Sequence, residues 1–191
     1  MGIPVPSDHA FCIGENGDRD DGSVDNAIFA ARFAIGGFAS SFRHCEQVAN
    51  YVAQFVTSNL PDPDRLNSML SMGLNEILEM AYRYHGADGA LNLLVKQPQS
   101  GEEGSSLQVV VGIPADSAAL AAYDWCREQI GHAQAHNHYS NLVREGFESG
   151  PYKACLVELA LIYRVHLAIK TEPSRGRATV TMVINTNQNE Q

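Results

Sequence analysis

The clearest hydrophobic pattern in the chain lies between Leu66 and Tyr84. Its apolar residues recur at steps of three and four, which places their side chains on one face of an α-helix. The members of this stripe are Leu66, Met69, Leu70, Gly73, Leu74, Ile77, Leu78, Ala81 and Tyr84. The pattern predicts a long amphipathic helix, and Asp64 in the preceding LPDPDR is its expected N-cap.

Two further elements are predicted ahead of this helix. The segment AIFAARFAIGG, residues 27–37, combines β-branched, aromatic and small residues and ends in two glycines, which is typical of a strand and turn. Ser40 or Ser41 then precedes FRHCEQVANYVAQFV, which is predicted to be a helix. Its apolar stripe at helical spacing consists of Val48, Tyr51, Val52 and Phe55.

Downstream of Gly86, strand and helix patterns alternate. LNLLVKQ and LQVVVGI predict two strands separated by a polar loop, and DSAALAAYDWCREQIG predicts a helix capped by Asp116 or Ser117. HYSNLVREGF and KACLVELALIYR are two more predicted helices. The chain closes with a predicted hairpin, in which VHLAIKT and ATVTMVI alternate apolar and polar residues around the turn EPSRG.

This order of elements predicts an α+β fold: a two-layer sandwich in which helices cover one face of a mixed, largely antiparallel sheet. The chain of 191 residues is long enough for one domain with a continuous core. We assign residues 27–185 to that domain, residues 1–26 to a flexible acidic segment and residues 186–191 to a frayed tail.

Composition narrows the classes of function. With 45% hydrophobic and 18% charged residues the chain resembles ordinary globular proteins, and no apolar run is long enough to span a membrane. The N-terminus lacks the pattern of a secretory signal, so we expect a cytoplasmic protein. A formal charge of −9 without a basic stripe argues against nucleic-acid binding.

The cysteines and histidines are candidates for metal binding. The four cysteines are scattered without a Cys-x-x-Cys pair, so buried thiols are expected. In GHAQAHNH, His132 and His136 are four residues apart and His138 follows, a spacing at which two imidazoles can hold zinc. No H-E-x-x-H pattern supplies a base, so exposed polar residues are the favoured interpretation and a metal-dependent enzyme is an alternative.

Two segments carry a resemblance to a known family. NEILEMAYRY, residues 75–84, resembles the N-box helix N-E-L-L-x-N-A-x-K-H of the histidine-kinase-like ATPases, and LAIKTEPSRG resembles the family's closing hairpin. In that alignment Gly150-Pro151-Tyr152-Lys153 lies opposite the phosphate-binding glycine loop. The likeness spans residues 27–184, although only these two segments match at the level of motifs.

The resemblance implies roles for several residues. Glu76 would be the catalytic base, while Met80 replaces the asparagine that holds magnesium, and a thioether does not suit this hard cation. Asn75, Gly112, Gly150 and Lys153 are the remaining candidates for nucleotide contact. The strand end VVVGIPADSA lacks the adenine-reading aspartate, and Tyr152 stands opposite a phosphate-loop glycine.

The favoured hypothesis is therefore a bacterial signal-transduction module with a degenerate nucleotide site, which binds a protein partner in the manner of anti-sigma and partner-switch proteins. No cofactor is expected under this hypothesis, and a homodimer is compatible with it. The alternative is an active ATP-dependent protein serine kinase that uses Glu76, ATP and magnesium.

Overall fold

The strands in the described part of the chain form one five-stranded sheet with antiparallel neighbours. The computed structural model describes residues 27–35, 43–84, 89–97, 106–132, 156–160, 163 and 165–186. The strands are β1 (Ala27–Ala34), β2 (Ala90–Lys96), β3 (Ser106–Pro114), β4 (His166–Glu172) and β5 (Arg177–Asn185). They are arranged in the order β1-β2-β3-β5-β4, and each neighbouring pair is antiparallel.

Three longer helices accompany the sheet in the described part of the chain. They are α1 (Arg43–Thr57), α2 (Pro63–Tyr84) and α3 (Ser117–His132), and residues 156–160 are also helical. None of these described helices has the length and apolar character needed to cross a bilayer. The bounds agree with the predicted elements to within one or two residues at most ends.

The helices lie on one face of the sheet, which confirms the predicted α+β sandwich. Along β5 the residues Ala178, Val180, Met182 and Ile184 are buried, whereas the alternate residues are half-buried or exposed. Each helix contacts the buried face. Phe55 of α1 packs on Phe29, Gly73 of α2 lies under Met182, and Asp124 of α3 bonds Thr171.

The closest approach between layers is at Gly73. A β-carbon at this position would collide with the Met182 sulfur and lie 3.0 Å from the Met182 methyl carbon. Glycine costs about 1 kcal/mol relative to alanine in a helix interior. Here the absent side chain lets α2 lie directly against the centre of the sheet, which is why a glycine belongs to the buried stripe.

The start of α2 differs from the prediction. The helix begins at Pro63, so Asp62 is the residue before it, and Asp64 belongs to the first turn. Asp62 has a φ of 54°, its carbonyl accepts the Leu66 N–H at 3.2 Å and its carboxylate accepts the Arg65 Nε–H at 2.7 Å. The prediction of Asp64 as N-cap was wrong because proline favours the first helical position. At α3 the predicted cap is confirmed, since Asp116 accepts the Ala119 N–H at 2.8 Å.

The buried face of α1 also differs from its apolar stripe. Val52 is buried as part of the core, but Tyr51 and Phe55 are 64% and 55% exposed. The buried residues are Cys45, Ala49, Val52, Ala53, Val56 and Thr57. Small side chains at Ala49 and Ala53 fit the contact with α2, so the helix is rotated and two of its large aromatic residues point outward.

Candidate functional site

The candidate site centres on α2, where Glu76 and Met80 are four residues apart and share one side of the helix. Met80 is 1% exposed and belongs to the hydrophobic core. Its thioether occupies the position at which the resemblance places a magnesium-binding amide. A buried thioether offers no hard oxygen ligand, so this position extends the core.

Asn75 has its polar groups arranged along the helix surface. Its Nδ2 donates a hydrogen bond to Glu79 Oε1 at 2.9 Å, and Glu79 Oε2 lies 3.9 Å from Arg83 Nη2. Asn75 Oδ1 is buried, and no described residue donates a hydrogen bond to it. A single amide oxygen does not fit magnesium, which requires near-octahedral oxygen coordination. Glu79 and Arg83 are thus an i,i+4 ion pair on the surface of α2.

Glu76 is half-buried and takes part in a hydrogen-bonding or electrostatic interaction within the protein. It lies on the same helix as Asn75, but its neighbour at the expected metal position is Met80. Its role as a base stays a prediction. In chemical terms Glu76 presents a half-buried carboxylate on the same side of α2 as the buried thioether of Met80.

Gly112 is the candidate residue on the sheet, and it belongs to the face opposite α2. It pairs with Asn92 and Thr179, which alternate with the buried residues of their strands. A β-carbon on Gly112 would lie 2.5 Å from an Arg177 guanidinium nitrogen, so Arg177 covers this position. The side-chain direction at Gly112 therefore points away from the helix that carries Glu76. The covering by Arg177 gave no recognisable signal in the sequence, because it depends on strand pairing.

The remaining candidate residues lie outside the described part of the chain. They are Gly150, Lys153, His136 and His138, together with the side chain of His132. Their predicted roles in phosphate or zinc binding stay predictions. Within the described ranges, no group of three or more His, Cys, Asp and Glu side chains could hold a metal ion.

Cys45 of α1 has the buried thiol that was expected, but its proximity to Glu79 and Arg83 of α2 was not predicted from the sequence. The thiol is buried, and burial, reinforced by the negative charge of Glu79, raises the pKa of Cys45 to about 11 although Arg83 partly opposes the shift. Because the reactive form of cysteine is the thiolate, this thiol is inert at neutral pH. Only the packing of α1 on α2 brings the three residues together, so no local motif could have indicated it.

A polar network joins α3 to β4 elsewhere in the molecule. The Thr171 hydroxyl donates to Asp124 Oδ1 at 2.8 Å and accepts from Arg127 Nη1 at 3.2 Å, and Arg127 Nη2 lies 2.8 Å from Asp124 Oδ1. Each of these three side chains has a partner within the network. The cluster therefore serves to fix α3 against the edge of the sheet.

No family model matches the chain, and no curated protein sequence matches it.

Proposed function

We propose that this protein is a regulatory module of bacterial signal transduction that acts by binding a protein partner and has lost the nucleotide chemistry of its fold. The single observation that carries the proposal is the burial of Met80, which is 1% exposed where a magnesium ligand would be required. Catalysis of phosphoryl transfer depends on metal, base and phosphate loop acting together.

The arrangement of elements supports the resemblance on which the proposal rests. A strand, a helix and the N-box-like helix α2 are followed by the strand pair β2 and β3, and the chain of elements ends in the hairpin β4–β5. The hairpin turn is a short 3-10 helix over Pro173–Arg175, closed by Gly176 at a φ of 57°. This segment is the second stretch that matches the family at the level of motifs.

The end of β3 supports the loss of adenine recognition. Asp116 is the first acidic residue after this strand, and its carboxylate accepts the Ala119 N–H at 2.8 Å as the cap of α3. An aspartate engaged in this way serves helix formation. The strand itself ends in Ile113 and Pro114 and is followed by Ala115, and none of the three offers a side-chain acceptor for an amino group.

The net charge of −9 indicates the kind of partner. A protein partner with a basic surface patch would be attracted over several ångströms and oriented before contact. In anti-sigma and partner-switch proteins, to which this chain bears a resemblance, regulation depends on binding another protein. We therefore infer that binding, and not turnover of ATP, is the function that remains.

Calorimetric titration with ATP and with ADP, each in the presence of magnesium, tests this proposal. We expect no saturable binding to the natural chain or to Glu76→Ala, because Met80 leaves the metal without a ligand. Tight binding that Glu76→Ala or Lys153→Ala abolishes would overturn it. Transfer of labelled phosphate from ATP to a protein encoded beside this one would instead support the serine kinase that uses Glu76.

A further inference from the structure

Strand β1 is an edge of the sheet with little protection against pairing. No other described strand pairs with its free side. Edge strands are usually protected by lysine, proline, inward-pointing charges or β-bulges. The register of β1 against β2 is irregular only between Ala27 and Phe29, ahead of the regular stretch from Ala30 to Ala34. The sequence AIFAARFA of β1 contains Arg32 as its sole charged residue and no proline. Its free side therefore retains the capacity to accept another strand.

The hydrogen-bond pattern shows which backbone groups are free. The Ile35 N–H donates to the Gly89 carbonyl at 3.1 Å, which places Ile35 among the residues that bond toward β2. Because backbone groups alternate in direction along a strand, Ala30, Arg32 and Ala34 direct theirs away from β2. These three residues form the free pairing edge.

An apolar surface flanks this edge on the helix side. Phe29, Ala31 and Phe33 face the helices, yet they are only half-buried, unlike Leu91, Leu93 and Val95 on the neighbouring strand. The exposed aromatic residues of α1 are adjacent. Phe55 packs edge-to-face on Phe29 with ring centroids 5.8 Å apart, and Tyr51 lies one helical turn from Phe55.

We propose that a second copy of this chain covers this surface by pairing its own β1 antiparallel to β1, so that the two sheets become continuous. A second copy supplies both parts that the surface needs. Its β1 strand satisfies the free backbone groups. Its α1 brings Tyr51 and Phe55 over the half-buried side chains of the two paired β1 strands. A lone extended peptide would satisfy the edge but leave the aromatic residues exposed.

Charge selects the register of the pairing. A two-fold axis at Arg32 would place the two arginines directly opposite each other, which is destabilising. A two-fold axis at Ala31 places Arg32 directly opposite Ala30 of the second copy. The two Arg32 residues are then diagonal neighbours across the paired strands. In this register Phe29 lies opposite Phe33 of the second copy, and such aromatic pairs stabilise antiparallel strands. The geometry therefore points to the axis at Ala31.

Charge and area both permit self-association here. The chain carries a net charge of −9, but β1 has no acidic residue, so two copies approach through a surface free of that repulsion. Stable interfaces bury about 800 Å² per partner, more than one strand edge supplies. Exposed aromatic side chains each contribute up to roughly 150–250 Å². Tyr51 and Phe55 thus belong to the interface. This inference is independent of the proposed function.

Sedimentation velocity over a concentration series tests the dimer and its register together. The natural chain should sediment at twice its 20.8 kDa mass at micromolar concentration. Ala30→Lys places a cation opposite Arg32 of the second copy and should weaken the dimer, whereas Ala30→Glu places a carboxylate there and should tighten it. Each symmetric pair of such contacts changes the dissociation constant by roughly 2- to 30-fold.

Matched controls are available at Thr181, which lies on the same open face but on an interior strand. Thr181→Lys and Thr181→Glu change the net charge by the same amounts as the corresponding variants of Ala30. They should nevertheless leave the dissociation constant of the dimer unchanged. Phe55→Glu, an exposed position, should yield monomer with an unaltered circular dichroism spectrum. A natural chain that stays monomeric across the whole concentration series, or equal effects of lysine and glutamate at Ala30, would overturn the proposal.

Discussion

The two edges of the sheet are protected in different ways. On β4 the outward positions include His166, Lys170 and Glu172, and Lys170 Nζ lies 2.7 Å from Glu172 Oε1. The inward residues Leu167 and Ile169 are 6% and 8% exposed. On β1 the outward residues include one charge, and the inward residues are half-buried.

The two edges also differ in how the neighbouring helix contacts the strand. The polar contact of Asp124 with Thr171 fixes α3 against β4, whereas the contact of α1 with β1 includes the exposed ring of Phe55 on Phe29. An edge with charges and a fixed helix resists further pairing. The β1 edge has Arg32 as its one charge and a helix that contacts it through an exposed ring, so it is the edge at which we propose association.

Truncation of one residue at each edge should give the largest measurable contrast. Leu167→Ala removes a buried side chain of β4 and should lower the free energy of unfolding by about 2–5 kcal/mol. Phe29→Ala, at a half-buried position, should cost less, about 1–2 kcal/mol at protein concentrations at which the chain is monomeric. Urea denaturation of both variants measures the difference. Equal losses would mean that β1 is as well covered as β4.

A second contrast concerns Cys45, a buried residue of α1, the helix that contacts β1. Folding raises the pKa of this thiol from 9.0 to about 11, so the folded state favours the neutral form. The contribution of the thiol to stability is fully present below pH 9 and is lost as the pH rises toward 11. The loss is at most about 3 kcal/mol.

The measurement compares urea denaturation of the natural chain and Cys45→Ala across this pH range. The alanine variant should be less stable at pH 8 because it leaves a cavity, but its stability should decline less between pH 9 and 11. Parallel declines of the two proteins would contradict an effect of Cys45.

Tyr123 provides the matching test beneath the β4 edge. Its side chain is fully buried in α3, and its hydroxyl has no hydrogen-bond partner among the described residues. Burial also raises the pKa of Tyr123. Because an unsatisfied buried hydroxyl costs about 1–3 kcal/mol, Tyr123→Phe should increase the free energy of unfolding by about 1 kcal/mol. A decrease on thermal or urea unfolding would show that the hydroxyl has a partner.

The smallest effect is expected at the surface charges of β4. Lys170 is 74% exposed beside Glu172, so Lys170→Ala should change the free energy of unfolding by less than about 1 kcal/mol. Removing this protective charge should still raise the tendency of the edge to pair. Light scattering at high protein concentration should therefore detect association of Lys170→Val even though its free energy of unfolding is little changed. Lys96→Val, which removes a lysine from the open face of the interior strand β2, serves as the control.

Much of the fold could be predicted from local patterns. The stripe from Leu66 to Tyr84 defined α2, and the alternation in VHLAIKT and ATVTMVI defined β4 and β5 because side chains on a strand alternate between two environments. The fold class followed from the order of these elements. The stripe of α1 was less informative, since its large aromatic residues Tyr51 and Phe55 had the right spacing but lie outside the core.

The candidate site was less predictable than the fold. Sequence spacing placed Glu76 and Met80 on one side of α2, and the structure adds that Met80 is buried. Spacing gave no indication that Arg177 covers Gly112, or that Cys45 lies within the electrostatic reach of Glu79. Such contacts join residues far apart in the chain, and their identity depends on strand register and on helix packing.

The sequence by itself determined where helices and strands form, because the periods of 3.6 and 2 are properties of the local backbone. It also determined that a thioether stands at residue 80. Only the tertiary structure decided that this thioether is inside the core, that α1 exposes Tyr51 and Phe55, and that β1 is an edge. Burial and edge position depend on what lies alongside each element, and a local pattern cannot specify its neighbours.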